Sequence, residues 1–230
     1  MNVERKTALK TIHKNKFLLL LVSLTITLCS GPILDRIGQI GAMLQFACLT
    51  SVFIAGALAN RQRKTMYYSG IALAVIAIPI MWSSLFLPSY QMSLGRVLIA
   101  GLFCLMIAVM ILVSVFKDEQ RQSQAIFGGI CSYLLIGLAW AMLYSGIELS
   151  DPDAFRYPAD AILNEKNVSF FPQLIYLSFV TMSTLGFGDI APRTPLAQIA
   201  TWLQAVVGQF YFAVLIAYLV SALPSKNKDD

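Results

Sequence analysis

Residues Thr184-Leu185-Gly186-Phe187-Gly188-Asp189 place a hydroxyl, two glycines one residue apart and a carboxylate in a chain that is otherwise mostly apolar. No base stands beside the hydroxyl to make a nucleophile. No strand-like run precedes the glycines and no Lys-Ser/Thr follows, which excludes a phosphate-cradling loop. What the stretch can offer is its backbone. Gly186 and Gly188 are free to adopt positive φ, and alternating them with ordinary residues turns successive carbonyls to one side. A row of carbonyls from several subunits then replaces the water shell of a cation. Backbone without helical hydrogen bonds is tolerated at membrane depth only when it is buried in protein or lines a water-filled path. Other elements must therefore hold this stretch.

The rest of the chain predicts what those elements are. Its 230 residues are 57% hydrophobic and 13% charged, with a mean hydropathy of +0.70. That excludes an ordinary soluble domain and predicts an all-α membrane protein. The net charge of +5 resides in short loops and at the chain ends, a distribution suited to lipid headgroups and not to nucleic acid. Six apolar segments run over Phe17–Leu34, Ile37–Ala59, Tyr67–Leu87, Arg96–Phe116, Phe127–Ile147 and Leu196–Leu223. Arg5, Lys6, Lys10, Lys14 and Lys16 precede the first. Arg61, Arg63 and Lys64, then Lys117 and Arg121, fill alternate connections, and Lys226 and Lys228 follow the last. The intervening Asp35-Arg36 turn and the loop Pro88–Gly95 are poor in Lys and Arg. Six crossings with both termini cytoplasmic satisfy this pattern, and the expected location is a cell membrane, the inner or plasma membrane of a prokaryote. A cleaved secretion signal ending before Cys29 is the alternative for the first segment, and Leu28, where a small residue is needed, argues against it.

Pro32 and Pro79 are expected to kink the first and third segments. Gly56, Gly70, Gly101, Gly128, Gly129 and Gly137 supply small surfaces for close helix packing. Cys29, Cys48, Cys104 and Cys131 lie inside apolar runs without a CxxC or a His cluster, so they read as packing residues. Lys6, Lys10 and Lys14 share a helical face, leaving open whether residues 1–16 lie along the headgroups or form a basic tail. His13 reads as a solvated side chain, and Asn167-Val168-Ser169 as a chance match to a glycosylation acceptor.

Between the fifth and sixth segments, residues 148–169 are polar and carry Glu148, Asp151, Asp153, Asp160 and Glu165 against Arg156 and Lys166. This acidic excess could concentrate cations at an entrance or be an ordinary solvated loop. Then follows FFPQLIYLSFVTMST, with Pro172 placed as at a helix start. That apolar stretch is too short to span a bilayer, so a helix that enters and turns back on the extracellular side is expected. Its negative C-terminal dipole would point at the glycine stretch and favour a cation there.

On these residues the chain resembles the pore domain of the tetrameric potassium channels, whose filter reads T-V-G-Y-G-D. Here it stands as T-L-G-F-G-D, preceded by Leu177-Ser178-Phe179-Val180-Thr181-Met182-Ser183, and the resemblance covers about residues 125–223. Leu185 replaces Val with its carbonyl retained, and Phe187 replaces Tyr with one hydroxyl lost. The resemblance implies a homotetramer with six membrane helices per subunit and a re-entrant pore helix and filter between helices five and six. It implies K⁺ as permeant ion, coordinated by the carbonyls of Thr184, Leu185, Gly186 and Phe187, with Gly188 completing the filter and the Thr184 hydroxyl forming the innermost site. Asp189 would sit at the outer mouth, with Tyr176, Phe179, Val180, Thr181 and Ser183 as filter support. Val180 stands where some relatives have a Glu that partners the Asp. Gly208 would be a hinge or a packing glycine, and Gln209, Phe212, Ile216 and Val220 would line the inner cavity. Membrane lipids are the expected surroundings, and no cofactor, no nucleic acid and no catalysis are expected.

The domain reading follows. Residues 1–16 form a basic N-terminus, 17–116 a four-helix membrane domain, 117–124 a short linker, 125–223 the pore domain and 224–230 a tail. The four-helix domain matches a voltage sensor in number and place. Yet its fourth segment, RVLIAGLFCLMIAVMILVSVF, carries Arg96 and no other charge. The short linker predicts packing on the subunit's own pore, and the seven residues after Leu223 predict no regulatory domain there. Alternative functions are a weakly selective cation channel, an active K⁺ transporter, or a non-conducting partner or sensor subunit.

Overall fold

The structure is a computed structural model that describes residues 16–34, 37–59, 64–83, 90–117, 122–158 and 171–221. The basic N-terminal residues with His13, the Asp35-Arg36 turn, Arg61 and Arg63, Arg121, Asn167 and the C-terminal lysines lie outside these residues, so the charge pattern behind the topology does too. Seven helices are described. They are α1 (Lys16–Leu34), α2 (Gln39–Ala59), α3 (Lys64–Ser83), α4 (Tyr90–Lys117), α5 (Gln122–Ser150), α6 (Phe171–Met182) and α7 (Pro195–Ser221). Two short strands, β1 (Phe155–Arg156) and β2 (Ala191–Pro192), pair antiparallel with Phe155 opposite Pro192 and Arg156 opposite Ala191.

Among the described residues, three helices are long and apolar enough to cross a membrane: α4 over Ser93–Phe116, α5 over Gln124–Ser150 and α7 over Pro195–Ser221. The apolar stretches found in α1, α2 and α3 are shorter, at Phe17–Gly31, Met43–Ala57 and Tyr67–Ile80. Helix α6 has 12 residues, about half of what a crossing needs. Polar side chains inside the apolar helices are satisfied locally. In α1, Thr25 Oγ1 donates to the Leu21 carbonyl at 2.9 Å and Thr27 Oγ1 to that of Ser23 at 2.8 Å, which removes free hydroxyls from an apolar setting. Pro32 and Pro79 lie inside α1 and α3, and both helices run on through them.

Helix α5 is the hub. It packs on α1 and α4 on one side and on α6 and α7 on the other, and its glycines make this possible. A methyl at Gly128 would stand 2.7 Å from Val115 of α4, one at Gly129 would stand 2.9 Å from Leu215 of α7, and one at Gly137 would stand 2.5 Å from the Phe179 ring of α6. A methyl at any of the three would force a neighbouring side chain to move, so the small residues allow three close helix approaches at once. The four-helix domain thus leans on α5 of its own chain through α1 and α4, where Phe17, Leu20, Phe103, Ile107 and Ile111 are buried. Cys104 and Cys131 are buried in this core, Cys48 is half-buried and Cys29 is exposed, all four as free thiols.

Candidate functional site

Helix α6 stops at Met182, and its last carbonyls are satisfied by the chain that leaves it. The Ser183 N–H donates to the Phe179 carbonyl at 2.9 Å, the Thr184 N–H to Thr181 at 3.0 Å and the Leu185 N–H to Val180 at 3.0 Å. A longer bond of 3.5 Å joins the Gly186 N–H to the same Val180 carbonyl. The N–H groups at the base of the stretch therefore face the helix end, and its own carbonyls stay out of those bonds.

Above this seat the backbone alternates. Thr184, Gly186 and Gly188 have φ of +60°, +54° and +75°, and Leu185 and Phe187 between them do not enter the left-handed region. Positive-φ residues at every second position bring successive carbonyls to one side, the arrangement a cation-coordinating row requires. For β-branched Thr184 this conformation costs about 1–2 kcal/mol. Strain of this kind persists where surrounding bonds enforce it. Here the Thr184 hydroxyl donates to the Ser183 carbonyl at 2.6 Å and accepts a long, 3.5 Å contact from Gln209 Nε2 of α7.

The other expected support residues gather around this stretch. Val180 is buried, Phe179 covers Gly137, and Ser183 Oγ turns back to the Phe179 carbonyl at 2.7 Å. Tyr176, on α6, is exposed in the single chain.

The inner-helix residues divide. Gly208 is buried against the end of α6, and Gln209 reaches the base of the stretch. Ile216 and Val220 are exposed in the single chain, whereas the Phe212 ring lies 4.9 Å from Tyr133 of α5 and is 41% exposed. Leu185 and Phe187 are exposed as well, together with Trp202, Val206, Phe210 and Val214 along α7.

Sequence reasoning missed the polar lattice behind the stretch. Gln204 of α7 is fully buried; its Nε2 donates to Ser178 Oγ at 2.7 Å and to the Ser178 carbonyl at 3.1 Å, while its Oε1 accepts from the Tyr144 hydroxyl. Ser178 Oγ in turn donates to the Gly137 carbonyl at 2.6 Å. One glutamine therefore joins α5, α6 and α7. The available signal was an amide amid apolar residues of a long helix, which is costly in a membrane unless paired. Gln204→Leu leaves the Tyr144 hydroxyl without this acceptor and is expected to cost about 2–4 kcal/mol per chain, read as a lowered melting temperature of the detergent-solubilised protein. Two α7 tyrosines complete the fastening: Tyr211 donates to the Gly129 carbonyl, and Tyr218 to that of Val115 at 2.7 Å.

No curated protein matches the chain. A family model described as an ion channel matches residues 130–224, the span that holds most of α5, all of α6 and α7 and the glycine stretch between them. In that span, where the site lies, the chain is similar to ion channels.

Proposed function

We propose that this chain is the subunit of a homotetrameric, potassium-selective channel that conducts passively. The observation that carries the reading is the alternating backbone of Thr184, Gly186 and Gly188 seated on the end of α6. Four such strands around one axis would offer stacked rings of carbonyls from Thr184, Leu185, Gly186 and Phe187, with Gly188 and Asp189 at the outer end. Those rings replace the hydration shell of K⁺ at little cost. The bare face of α7 and the exposed Leu185 and Phe187 are the surfaces that neighbouring copies would cover. Ile216 and Val220 would line the inner cavity with Gln209 above them. The four-helix domain would stay beside its own pore, because α1 and α4 already pack on α5 of the same chain. Six crossings, both termini cytoplasmic and the α6 start facing outward complete the arrangement in a cell membrane.

The test is K⁺ flux through the purified chain in liposomes, with reversal potentials under K⁺/Na⁺ exchange. A potential that follows the K⁺ gradient and ignores Na⁺ supports the reading. One that follows both ions indicates a weakly selective channel, uphill movement indicates a transporter, and absence of flux indicates a non-conducting subunit. Opening is expected to depend weakly on voltage. Each charge that crosses the field contributes about 2.3 kcal/mol per 100 mV, and within Ser93–Phe116 of α4 Arg96 is the sole charged residue. A conductance–voltage curve as steep as several charges per subunit require would refute this.

A further inference from the structure

A cavity of about 720 Å³ lies between the four-helix domain and the pore helices, where the α1–α2 connection, the α4 start, the α5 end and the α6 start converge. Its size is that of a small-molecule site. One wall is apolar, with Phe46 and Leu49 of α2, Val97 and Ala100 of α4 and Met142 of α5. The other is charged, with Arg96, Arg156 and Arg193 against Glu148 and Asp153.

These charges do not cancel. Asp153 is taken by Arg193 at 3.7 Å. Glu148 is half-buried on the same lining, and its Oε2 has no hydrogen-bond partner among the described residues. Arg156 is exposed at the rim. Arg96 is half-buried and forms no ion pair among the described residues. A guanidinium withdrawn from water beside an apolar wall is costly unless an anion meets it.

We infer that this cavity binds an anionic amphiphile, with its head on Arg96 and its acyl chain along Phe46, Leu49, Val97, Ala100 and Met142. The carboxylates of Glu148 and Asp153 on the same wall disfavour a doubly charged head, which points to a monoanion, either a phosphodiester or a carboxylate. Guanidinium suits both, through paired N–H donors. The inference does not rest on the proposed conduction, because the site's residues lie outside the glycine stretch.

The test is binding to the purified full chain in a neutral detergent, measured by native mass spectrometry with dioleoyl-phosphatidylglycerol, oleate and dioleoyl-phosphatidylcholine. At least one of the two anions is expected to form a saturable complex of one per chain, roughly tenfold tighter than the phosphatidylcholine. The tighter of the two identifies the head as phosphodiester or carboxylate. Arg96→Gln is expected to weaken it about tenfold or more, and Arg96→Lys to retain part of the binding. Ser145→Leu, which narrows the cavity and leaves Arg96 in place, should weaken it as well. Equal binding of all three probes would overturn the proposal, as would anion binding unchanged in both Arg96→Gln and Ser145→Leu.

Discussion

Gly186→Ala is expected to abolish K⁺ flux through the reconstituted protein while leaving its helix content intact. Gly186 has φ of +54°, and a methyl built there meets nothing within 4 Å in its own chain. Within the chain, then, the effect comes from backbone preference and not from collision. Holding alanine in the left-handed region costs about 1–2 kcal/mol. In the proposed ring of four subunits the penalty would apply to every copy, so the conducting conformer would become rarer by a factor of about 10³ or more. The check is K⁺ flux beside circular dichroism on the same sample. Leu185→Val, at a position outside the left-handed region, is the control and should conduct. Equal flux from Gly186→Ala and wild type would remove the glycine stretch from the ion path.

Gly208→Ala is expected to damage the pore nearly as severely, by a different route. A methyl at Gly208 would lie 2.4 Å from the Met182 carbonyl oxygen, 3.1 Å from its carbon and 3.0 Å from the Met182 Cγ. Trimming the Met182 side chain cannot relieve a clash with its backbone. Either α7 backs away or the end of α6 moves, and the glycine stretch begins two residues beyond Met182. Overpacking of this kind costs about 1–3 kcal/mol in each chain. The melting temperature should fall by several degrees, and Na⁺ should begin to permeate as the seat of the stretch shifts. A glycine serving only as a hinge predicts the opposite: unchanged melting and selectivity, with altered opening alone. The close approach to Met182 favours the packing role of the two that the sequence left open.

How far the molecule was legible depended on whether the cause was local. The glycine stretch could be read because its chemistry sits in six consecutive residues, and the backbone at Thr184, Gly186 and Gly188 alternates as those residues suggest. Helix α6 begins at Phe171, beside Pro172, and is as short as its apolar run. Apolar runs also located the long helices but misjudged their ends. Helix α4 begins at Tyr90, six residues before Arg96. Hydropathy marks the part that suits lipid, whereas hydrogen bonding decides where a helix stops. What could not be read depended on partners distant in sequence. Gln204 is 26 residues from Ser178 and 60 from Tyr144, and nothing in the spacing of these residues announces the lattice. The acidic segment after α5 was legible only as charge. Its pairing with the residues beyond Asp189, and the cavity beneath it, exist only once α1, α2 and α4 have packed on α5.

That pairing has a mechanical consequence. Beyond Asp189 the chain enters β2, opposite β1, and the Arg193 N–H donates to the Ala154 carbonyl at 2.8 Å. The lower end of the stretch is moored to the Val180 carbonyl. The glycine stretch is therefore suspended between two anchors that both belong to its own chain, like a cable fixed at both banks. In the proposed ring of four, the strands would share no anchor within these bonds. The cheapest distortion is then the slackening of one strand alone, and lopsided failure of the ring should precede any concerted collapse.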